Sequence, residues 1–421
     1  MGVAGQYAQN IVAANSNGSG KLRKWPKEVL DKYGGWFLYS LFVSILVLEE
    51  VWRLDDTGCL SGWLLVLITT GAVISSVLFE KRMWCSYLCP IGGMLGAFAK
   101  LAPVELRGRP GVCSAECDSY ACIKGNPSEN IPGCPQNAHC SHLSDNRLCI
   151  MCFQCIKNCP NDSIQLNLRI PGADLWEGKH KPLDHEVALI FLLFGAVVLH
   201  DSAPFLSMLG IADPSPFVSS GSDKMLHTAA SLGILSAPGL VAWGVDAAWR
   251  RLAAYCMSKP APTTTTSIDF HLVTISQDPD ASRAISVLQA ALSSYTSEQA
   301  NAAIRAPSKP FIDIAYGYLP LAWASSLAYY LDNLLIEGGH ILQSAASTFG
   351  FDTSASQLLP YFEAHPAVIS AMQGTLLFFG CITSWGMTLR ITKQPARVAL
   401  PQYMTIIAFS VIFGHTILSN N

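Results

Sequence analysis

Cys149-Ile-Met-Cys152-Phe-Gln-Cys155-Ile-Lys-Asn-Cys159-Pro160 is the stretch of this chain that says most about its fold. The cysteines follow the spacing C-x2-C-x2-C-x3-C-P, in which three thiolates bind one [4Fe–4S] cluster and the fourth binds a second cluster. Structural zinc is the alternative, but zinc takes four ligands in all, and these four thiolates are crowded into eleven residues. We therefore interpret the run as part of an iron–sulfur site.

Composition indicates an integral membrane protein. Of the 421 residues, 50% are hydrophobic and only 14% are charged, whereas soluble domains carry roughly 25% charged residues. The net charge of −3 gives no support for binding to nucleic acid. The first twenty residues are polar and lack the apolar core of a signal peptide.

Seven apolar runs predict about seven membrane-spanning helices, because a span needs roughly 20 residues including its flanks. The runs are Gly35–Leu48, Cys59–Phe79, Val187–His200, Met225–Trp249, Ile314–Ile336, Ala367–Leu389 and Ala399–Leu418. They divide the chain into a polar tail (1–33), two spans (34–80), an iron–sulfur domain (81–185), two spans (186–249), a polar insert (250–312) and three spans (313–421). Within the insert, we expect a strand at 268–275 and a helix at 281–306. We find no internal repeat.

The distribution of basic residues predicts the orientation of these spans. Seven crossings place 25 of the 27 lysines and arginines on the side that holds the N-terminus and the cysteine block. Cytoplasm-facing loops carry this excess. We therefore expect the N-terminus and the iron–sulfur domain on the inner, reducing face, and the C-terminus outside.

The cysteine block contains more thiols than the run alone. Of the chain's 14 cysteines, 11 lie between positions 85 and 159. Besides the run, the candidate iron ligands are Cys85, Cys89, Cys113, Cys117, Cys122, Cys134 and Cys140. Two [4Fe–4S] clusters need eight thiolates, so we predict about two clusters with three spare cysteines; three clusters need twelve ligands and would take one histidine, which is the alternative. Cys59, Cys256 and Cys381 are interpreted as packing residues.

The distribution of these thiols between the two clusters stays open. One arrangement gives Cys149, Cys152 and Cys155 to one cluster, completed by Cys89 or Cys134. Cys159 then joins the second cluster, with three of Cys85, Cys113, Cys117 and Cys122.

Part of the chain resembles membrane-bound polyferredoxin-like proteins of the NosR/NapH type. The resemblance is carried by Trp84-Cys85-Ser-Tyr-Leu-Cys89-Pro90-Ile-Gly92-Gly93 and by the run Cys149–Pro160, and it covers roughly residues 35–185. With the extension 162–176, the chain is most similar to membrane iron–sulfur proteins of oxygenic phototrophs that are implicated in cyclic electron flow. The resemblance implies a membrane electron conduit in a bacterial inner membrane or a thylakoid.

Two functions fit these features. The first is electron transfer from a soluble inner-face donor, such as a ferredoxin, to a membrane acceptor such as a quinone or a partner complex. In that case the basic residues around the block would steer an acidic donor; they are Lys81, Arg82, Arg107, Arg109, Lys124 and Lys157. The second is a non-catalytic subunit or assembly component of a larger energy-transducing complex. A maturation or redox-sensing factor rests on analogy alone.

Histidines near the predicted outer face form a separate hypothesis. His227 and His340, with Glu337, are candidates for a metal, haem or quinone pocket, because intramembrane ionisable groups often serve function. The alternative is that these interfacial histidines only bond to loops or lipid headgroups.

Overall fold

The computed structural model describes residues 24–52, 54, 57–79, 81–126, 131–200, 221–258, 309–336, 338–348, 364–393 and 396–418. The N-terminal tail to residue 23 and most of the polar insert lie outside the described residues. The strand predicted at 268–275 and the helix predicted at 281–306 are therefore not covered.

The described chain is mostly helical. Its principal helices, in chain order, are α1 (Gly35–Trp52), α2 (Gly58–Leu78), α3 (Pro90–Ala99), α4 (Ala121–Lys124), α5 (Gln154–Lys157), α6 (Asp184–His200), α7 (Gly221–Ser258), α8 (Leu319–Ile336), α9 (Pro366–Thr392) and α10 (Ala396–Leu418). Shorter helical turns lie at Lys27–Val29, Leu30–Gly34, Trp84–Leu88, Val112–Ala115, Cys140–His142, Ala173–Trp176, Phe311–Ala315, Tyr316–Tyr318, Gly338–His340 and Ile341–Thr348. Helices are thus present at all seven positions predicted as spans.

Five helices are long and apolar enough to cross a membrane: Leu30–Trp52, Gly58–Leu78, Lys224–Leu252, Pro366–Thr392 and Ala399–Leu418. α2 is the least covered of these, with 11% of its apolar window buried, and a helix that is apolar and uncovered is suited to lipid. α6 and α8 are the two predicted spans outside this group. The structure therefore supports a helical membrane protein, and seven crossings with their orientation stay a prediction.

α6 is the central helix of the bundle. Thirteen of its 17 residues are buried, including Ile190 and Phe194, which are fully enclosed. Around it pack α1, α7, α8 and α10. A helix that is apolar on every side is stable only where it is covered all round. The short apolar run of the sequence therefore marks the helix that is most covered by the protein itself.

Small residues allow the closest approaches between helices. A Cβ at Gly195 of α6 would lie 2.6 Å from the carbonyl oxygen of Leu235 on α7. A Cβ at Gly380 of α9 would lie 2.5 Å from Cβ of Ala324 on α8. Membrane helices pack through small residues of this kind because backbones can then approach closely.

The iron–sulfur domain is built on short strands. β1 (Val104–Gly108) pairs antiparallel with β4 (Ile164–Leu168), with Leu106 opposite Leu166 and Gly108 opposite Ile164. β2 (Gly125–Asn126) pairs with β3 (Ile131–Pro132). The β1–β4 ribbon joins the start of the cysteine-rich loops to their end, so all the loops between them are held on one scaffold.

Candidate functional site

Nine of the eleven clustered cysteines line two cavities beside the β1–β4 ribbon. Buried side chains of the ribbon, Leu106 and Ile164, share a small core with Cys122, Cys140 and Cys155. The ribbon thus forms a rigid wall behind both sets of thiols.

The first cavity, here called the polar thiol cavity, has five cysteines in its wall: Cys113, Cys117, Cys122, Cys140 and Cys159. Its other lining residues include His139, Asn161 and Ser163. Ser163 contacts two of the thiols: its N–H donates to Sγ of Cys159 at 3.3 Å, and its Oγ lies 3.3 Å from Sγ of Cys113. Polar groups of the protein therefore reach the sulfur atoms of this cavity.

The second cavity, here called the apolar thiol cavity, also has five cysteines: Cys134, Cys140, Cys149, Cys152 and Cys155. Most of its remaining wall is apolar and includes Leu106, Leu143, Leu148, Ile150, Met151 and Phe153. Sγ of Cys149 lies 3.9 Å from Sδ of Met151. Backbone N–H groups also reach sulfur here, since those of Met151 and Ile156 bond to the thiols of Cys149 and Cys155.

Each cavity takes one cysteine from the chain segment that supplies the other cavity. The run that begins at Cys149 gives its first three thiols to the apolar thiol cavity, and its fourth, Cys159, to the polar one. Cys134, which follows the other cysteine loop, lines the cavity of Cys149. Of the two residues left open for completing that set, the structure places Cys134 there. Cys140 lines both cavities.

A short internal repeat underlies this exchange, and the expectation of no internal repeat was wrong. Tyr120-Ala-Cys122-Ile-Lys124 and Phe153-Gln-Cys155-Ile-Lys157 share the pattern aromatic-x-Cys-Ile-Lys. The aromatic residue precedes α4 or α5 and has left-handed backbone angles in both, with φ of 50° at Tyr120 and 59° at Phe153. This conformation is uncommon for bulky residues. Each repeat is followed by a Cys-Pro pair, so the sequence offered a signal that was overlooked.

Burial and contact between neighbouring thiols shift the pKa of some of the cavity cysteines. Burial, and after it the charges of the Cys117 and Cys113 thiolates, raise the pKa of the Cys122 thiol to about 11. A hydrogen bond with Cys140 lowers the pKa of Cys155 to about 7, and the same bond, with burial, raises that of Cys140. Thiols of raised pKa are protonated at neutral pH unless a cation displaces the proton, as a coordinated metal does.

The donor set fits iron–sulfur clusters better than a single ion. In a cluster each thiolate binds a different iron, so the thiols surround a volume; zinc draws four donors onto one point. Among the described residues, no group of three or more His, Cys, Asp or Glu side chains converges in the way that one metal ion requires. Each cavity instead carries at least four thiols around its wall.

Cys85 and Cys89 lie apart from both cavities, on the turn between α2 and α3. A Cβ at Gly92 would lie 2.2 Å from the carbonyl oxygen of Cys85, so this close turn requires glycine. The turn contacts the thiol loops: the Arg82 N–H donates to the Pro135 carbonyl at 2.9 Å, and Lys81 Nζ donates to that of Ile123 at 3.0 Å. The structure therefore does not bring these two predicted ligands together with the other nine.

A buried charged network joins the iron–sulfur domain to the helices, and it was not predicted. Lys100, at the end of α3, has 0% of its side chain exposed. Its Nζ makes a short contact with Glu186 Oε2 and lies 3.5 Å from Asp145 Oδ2. Tyr316 donates from its hydroxyl to Glu186 at 2.7 Å, and its ring lies 4.8 Å from Lys100 Nζ.

Two more residues of the iron–sulfur domain complete the network. His180 Nδ1 lies 3.2 Å from Asp145 Oδ2, and Arg147 Nε lies 3.0 Å from Glu186 Oε1. Burial on its own would raise the pKa of Asp145, but the hydrogen bond from His180 and the charge of Lys100 hold it well below its usual value.

The structure does not bring the candidate histidines His227 and His340 together in one site. His227 Nε2 lies 3.5 Å from Glu50 Oε1, and His340 Nδ1 lies 3.5 Å from Gln343 Oε1. Glu337 lies outside the described residues. The two histidines thus contact different neighbours, and a shared metal, haem or quinone pocket stays a prediction. The side chain of Cys256 is also outside the described part of the chain, while Cys59 on α2 is exposed and Cys381 on α9 is partly buried.

Comparison with known proteins identifies part of the site. A family described as 4Fe-4S binding domain matches residues 61–110, a segment that contains Cys85 and Cys89 but none of the nine cysteines that line the thiol cavities. The chain is 29% identical over 111 residues to the "Putative electron transport protein YccM" of Escherichia coli strain K12, covering 26% of this chain and 28% of that protein. It is 24% identical over 147 residues to the "Uncharacterized protein MJ0749" of Methanocaldococcus jannaschii, covering 35% of this chain and 54% of that protein.

The chain thus spans about half or less of the length of these relatives, and no solved structure matches it. The family match and the apolar helices agree on one coarse description: this protein contains a 4Fe-4S binding domain attached to helices that are suited to a membrane.

Proposed function

We propose that this protein is a membrane-bound iron–sulfur electron-transfer protein that relays single electrons from a soluble inner-face donor to a membrane acceptor. The observation that carries the proposal is the exchange of Cys159 and Cys134 between two thiol-lined cavities. That exchange is the ligand pattern of proteins with two [4Fe–4S] clusters. The name of the Escherichia coli relative, an electron transport protein, supports the same function.

Eight cysteines would hold the two clusters. The polar thiol cavity would use Cys113, Cys117, Cys122 and Cys159, and the apolar thiol cavity would use Cys134, Cys149, Cys152 and Cys155. Cys140 lines both cavities and is left as a spare thiol. When bound, such clusters accept and release one electron each.

The chain's own residues set the conditions for that chemistry. Ser163 places an N–H and a hydroxyl beside two thiols, and hydrogen bonds to sulfur raise a cluster's potential. Leu106, Ile150 and Phe153 place hydrocarbon side chains around the other set. The β1–β4 ribbon keeps the two ligand sets side by side, which suits electron exchange between them.

An acidic soluble donor such as a ferredoxin is proposed for the inner face. Three of the basic residues identified in the sequence are exposed there: Arg109, Lys124 and Lys157. Arg107 serves a structural role instead, because its guanidinium lies 3.4 Å from Asp174 and 3.1 Å from Asn146. Steering by the exposed charges predicts that reduction by ferredoxin slows as salt is added.

The orientation and the family are part of the same proposal. The excess of lysine and arginine on one predicted side supports an inner, cytoplasmic or stromal, position for the iron–sulfur domain. The turn that contains Cys85 and Cys89 lies in the matched 4Fe-4S segment and supports the NosR/NapH type. The acceptor would be a quinone or a partner complex in the membrane.

Iron and acid-labile sulfide in the anaerobically purified chain test the function. We expect about eight of each per chain, with spin-coupled EPR signals after dithionite reduction, because two clusters hold about four irons each. Cys381→Ser in α9 is the matched control and should leave both values unchanged. Zinc without sulfide would contradict the proposal.

A further inference from the structure

A cavity lies where the iron–sulfur domain meets α8 and α9, and its size points to a ligand. It measures about 640 Å³, within the range of small-molecule sites, and is lined by Leu101, Trp176, Trp323, Gly386, Met387 and Arg390 among others. We propose that this junction cavity binds the ring of a lipid-soluble quinone. The inference rests on the proposed electron-transfer function, for which it supplies the site of the membrane acceptor.

The position of the cavity suits a ligand that enters from the bilayer. One wall is formed by α8 and α9, where Trp323 is 43% exposed and Ile382 is 51% exposed. α9 is one of the helices long and apolar enough to cross a membrane, so the exposed side chain of Ile382 would face lipid. A ligand dissolved in the membrane can therefore reach the cavity without crossing water.

The opposite wall belongs to the iron–sulfur domain. Ala102 and Pro103 lead into β1, and Ile170 and Pro171 follow β4. Leu106, which lines the apolar thiol cavity, is three residues beyond Pro103, a distance of about 10 Å along a strand that rises 3.3 Å per residue. One strand thus joins the junction cavity to the thiols.

The chemistry of the lining favours a neutral ring with acceptor oxygens. Among the described residues that form the wall, Arg390 is the one charged side chain, and its guanidinium lies 4.8 Å from the ring of Trp176. The hydroxyl of Thr383 already donates to the Phe379 carbonyl of its own helix at 2.7 Å. Arg390 and the indole N–H groups of Trp176 and Trp323 are therefore donors for a carbonyl oxygen, and the tryptophans also offer flat apolar surfaces for a ring.

The helix end argues against an anionic lipid headgroup as the occupant. Arg390 stands in the last turn of α9, which ends at Thr392. The C-terminal end of a helix carries partial negative charge, which repels a phosphate. Arg390 would be the one charged side chain among the described lining residues to offset both this repulsion and the phosphate charge. A quinone is uncharged and does not meet this repulsion.

Gly386 allows the cavity to be filled without disturbing the fold. A Cβ built at this position meets no atom within 4 Å, so a larger side chain would extend into open space. Gly414 on α10 is equally open and does not line the cavity, which makes Gly414→Leu the matched control for Gly386→Leu.

The test is photolabelling of the full-length purified chain in lipid nanodiscs by an azido-benzoquinone with a decyl tail, followed by peptide mapping. We expect label in the peptides that contain Trp176 or Met387, at least tenfold weaker in Gly386→Leu, and unchanged in Gly414→Leu. Arg390→Met should weaken labelling severalfold, while iron content in all variants stays at the wild-type value.

Label confined to other peptides, or unaffected by Gly386→Leu, would overturn the inference. Loss of label on adding excess phosphatidylglycerol would also overturn it, because the cavity would then be a lipid site. The labelling uses oxidised protein and needs no electron transfer. A chain that binds two clusters but no quinone would refute this inference alone, whereas quinone binding without iron would refute the proposed function.

Discussion

The two thiol cavities have similar sets of cysteines but different surroundings. In the polar thiol cavity the Ser163 side chain reaches sulfur as well as a backbone N–H, whereas in the apolar one the polar contacts to sulfur come from the backbone and the nearby side chains include Leu106, Ile150 and Phe153. The ligand spacing in the sequence determines which cluster type fits, but hydrogen bonds and water exclusion determine its potential. The comparison teaches that two sites of one kind can be made unequal by residues that bind no iron.

Substitution of a single cysteine ligand should give the largest effect. Cys159→Ser should lower iron and sulfide from about eight to about four per chain and remove the cluster of the polar thiol cavity, although Cys159 belongs to the other run. Cys134→Ser should remove the other cluster. Iron analysis and EPR measure both outcomes.

Cys140→Ser is the internal control for these losses and should keep both clusters, since four other thiols remain in each cavity. If Cys159→Ser instead removed the same EPR signal as Cys149→Ser, the exchange of ligands between the cavities would be wrong.

Substitution in the charged network should give the second largest effect. This network lies on the side of the apolar thiol cavity. Asp145 and Arg147 stand between Leu143 and Leu148, which line that cavity. Lys100→Met should lower the free energy of unfolding by about 3–5 kcal/mol, because it leaves Glu186 buried without its closest cation.

Thermal unfolding of detergent-solubilised protein measures this loss. Lys179→Met is the control: Lys179 is 66% exposed and pairs with Glu177 at 2.9 Å, so removal should change stability by no more than about 0.5 kcal/mol. Equal effects of the two substitutions would show that the buried network does not stabilise the domain.

Acid should loosen the apolar thiol cavity before the polar one. The pKa of Asp145 is held low in the folded protein by His180 and Lys100, against the opposing effect of burial. A group with a depressed pKa stabilises the fold above its unfolded pKa of about 3.9, and the stabilisation is lost as the pH falls below that value. The equilibrium constant for local opening should rise about tenfold per pH unit below pH 4.

Hydrogen exchange of the amides at 143–149, compared with those at 161–164, measures this difference. Asp145→Asn removes the titrating group and should remove the extra pH dependence at 143–149. If both segments lost protection in parallel in the wild-type chain, Asp145 would not control the local opening.

Ser163→Ala should give the smallest effect. It removes the hydroxyl beside Sγ of Cys113 but keeps the N–H that donates to Cys159. Since one net hydrogen bond contributes about 0.5–1.5 kcal/mol and 59 mV corresponds to about 1.4 kcal/mol for one electron, the potential should fall by roughly 20–60 mV. EPR-monitored redox titration should show the shift in one cluster only; a shift in both would contradict the placement of Ser163.

The positions of the helices and the main cysteine run were predictable because they depend on local patterns. Apolar runs gave helices at all seven expected positions, including Asp184–His200. Which of Cys89 and Cys134 lies with Cys149 was not predictable from the sequence. Both residues precede a proline, and only tertiary packing places one of them beside Cys149. The internal repeat at 120–124 and 153–157 was visible in the sequence, but the unequal spacing of the other cysteines concealed it.

The charged network was beyond prediction for a different reason. Lys100, Asp145 and Glu186 are far apart in sequence, and each on its own resembles a surface charge. Only the packing of α3 against α6 makes them partners. Sequence patterns report burial of apolar residues well, but they do not report which buried charges meet.

The position of Glu186 limits how freely the iron–sulfur domain can be moved between proteins. The predicted domain ends at residue 185, and the next residue supplies the carboxylate that pairs with Lys100. A fragment cut at that boundary would carry Lys100 and Arg147 without Glu186 or the Tyr316 hydroxyl. The domain is therefore not a separate ferredoxin joined to an anchor, because its buried charges find their partners on the helices.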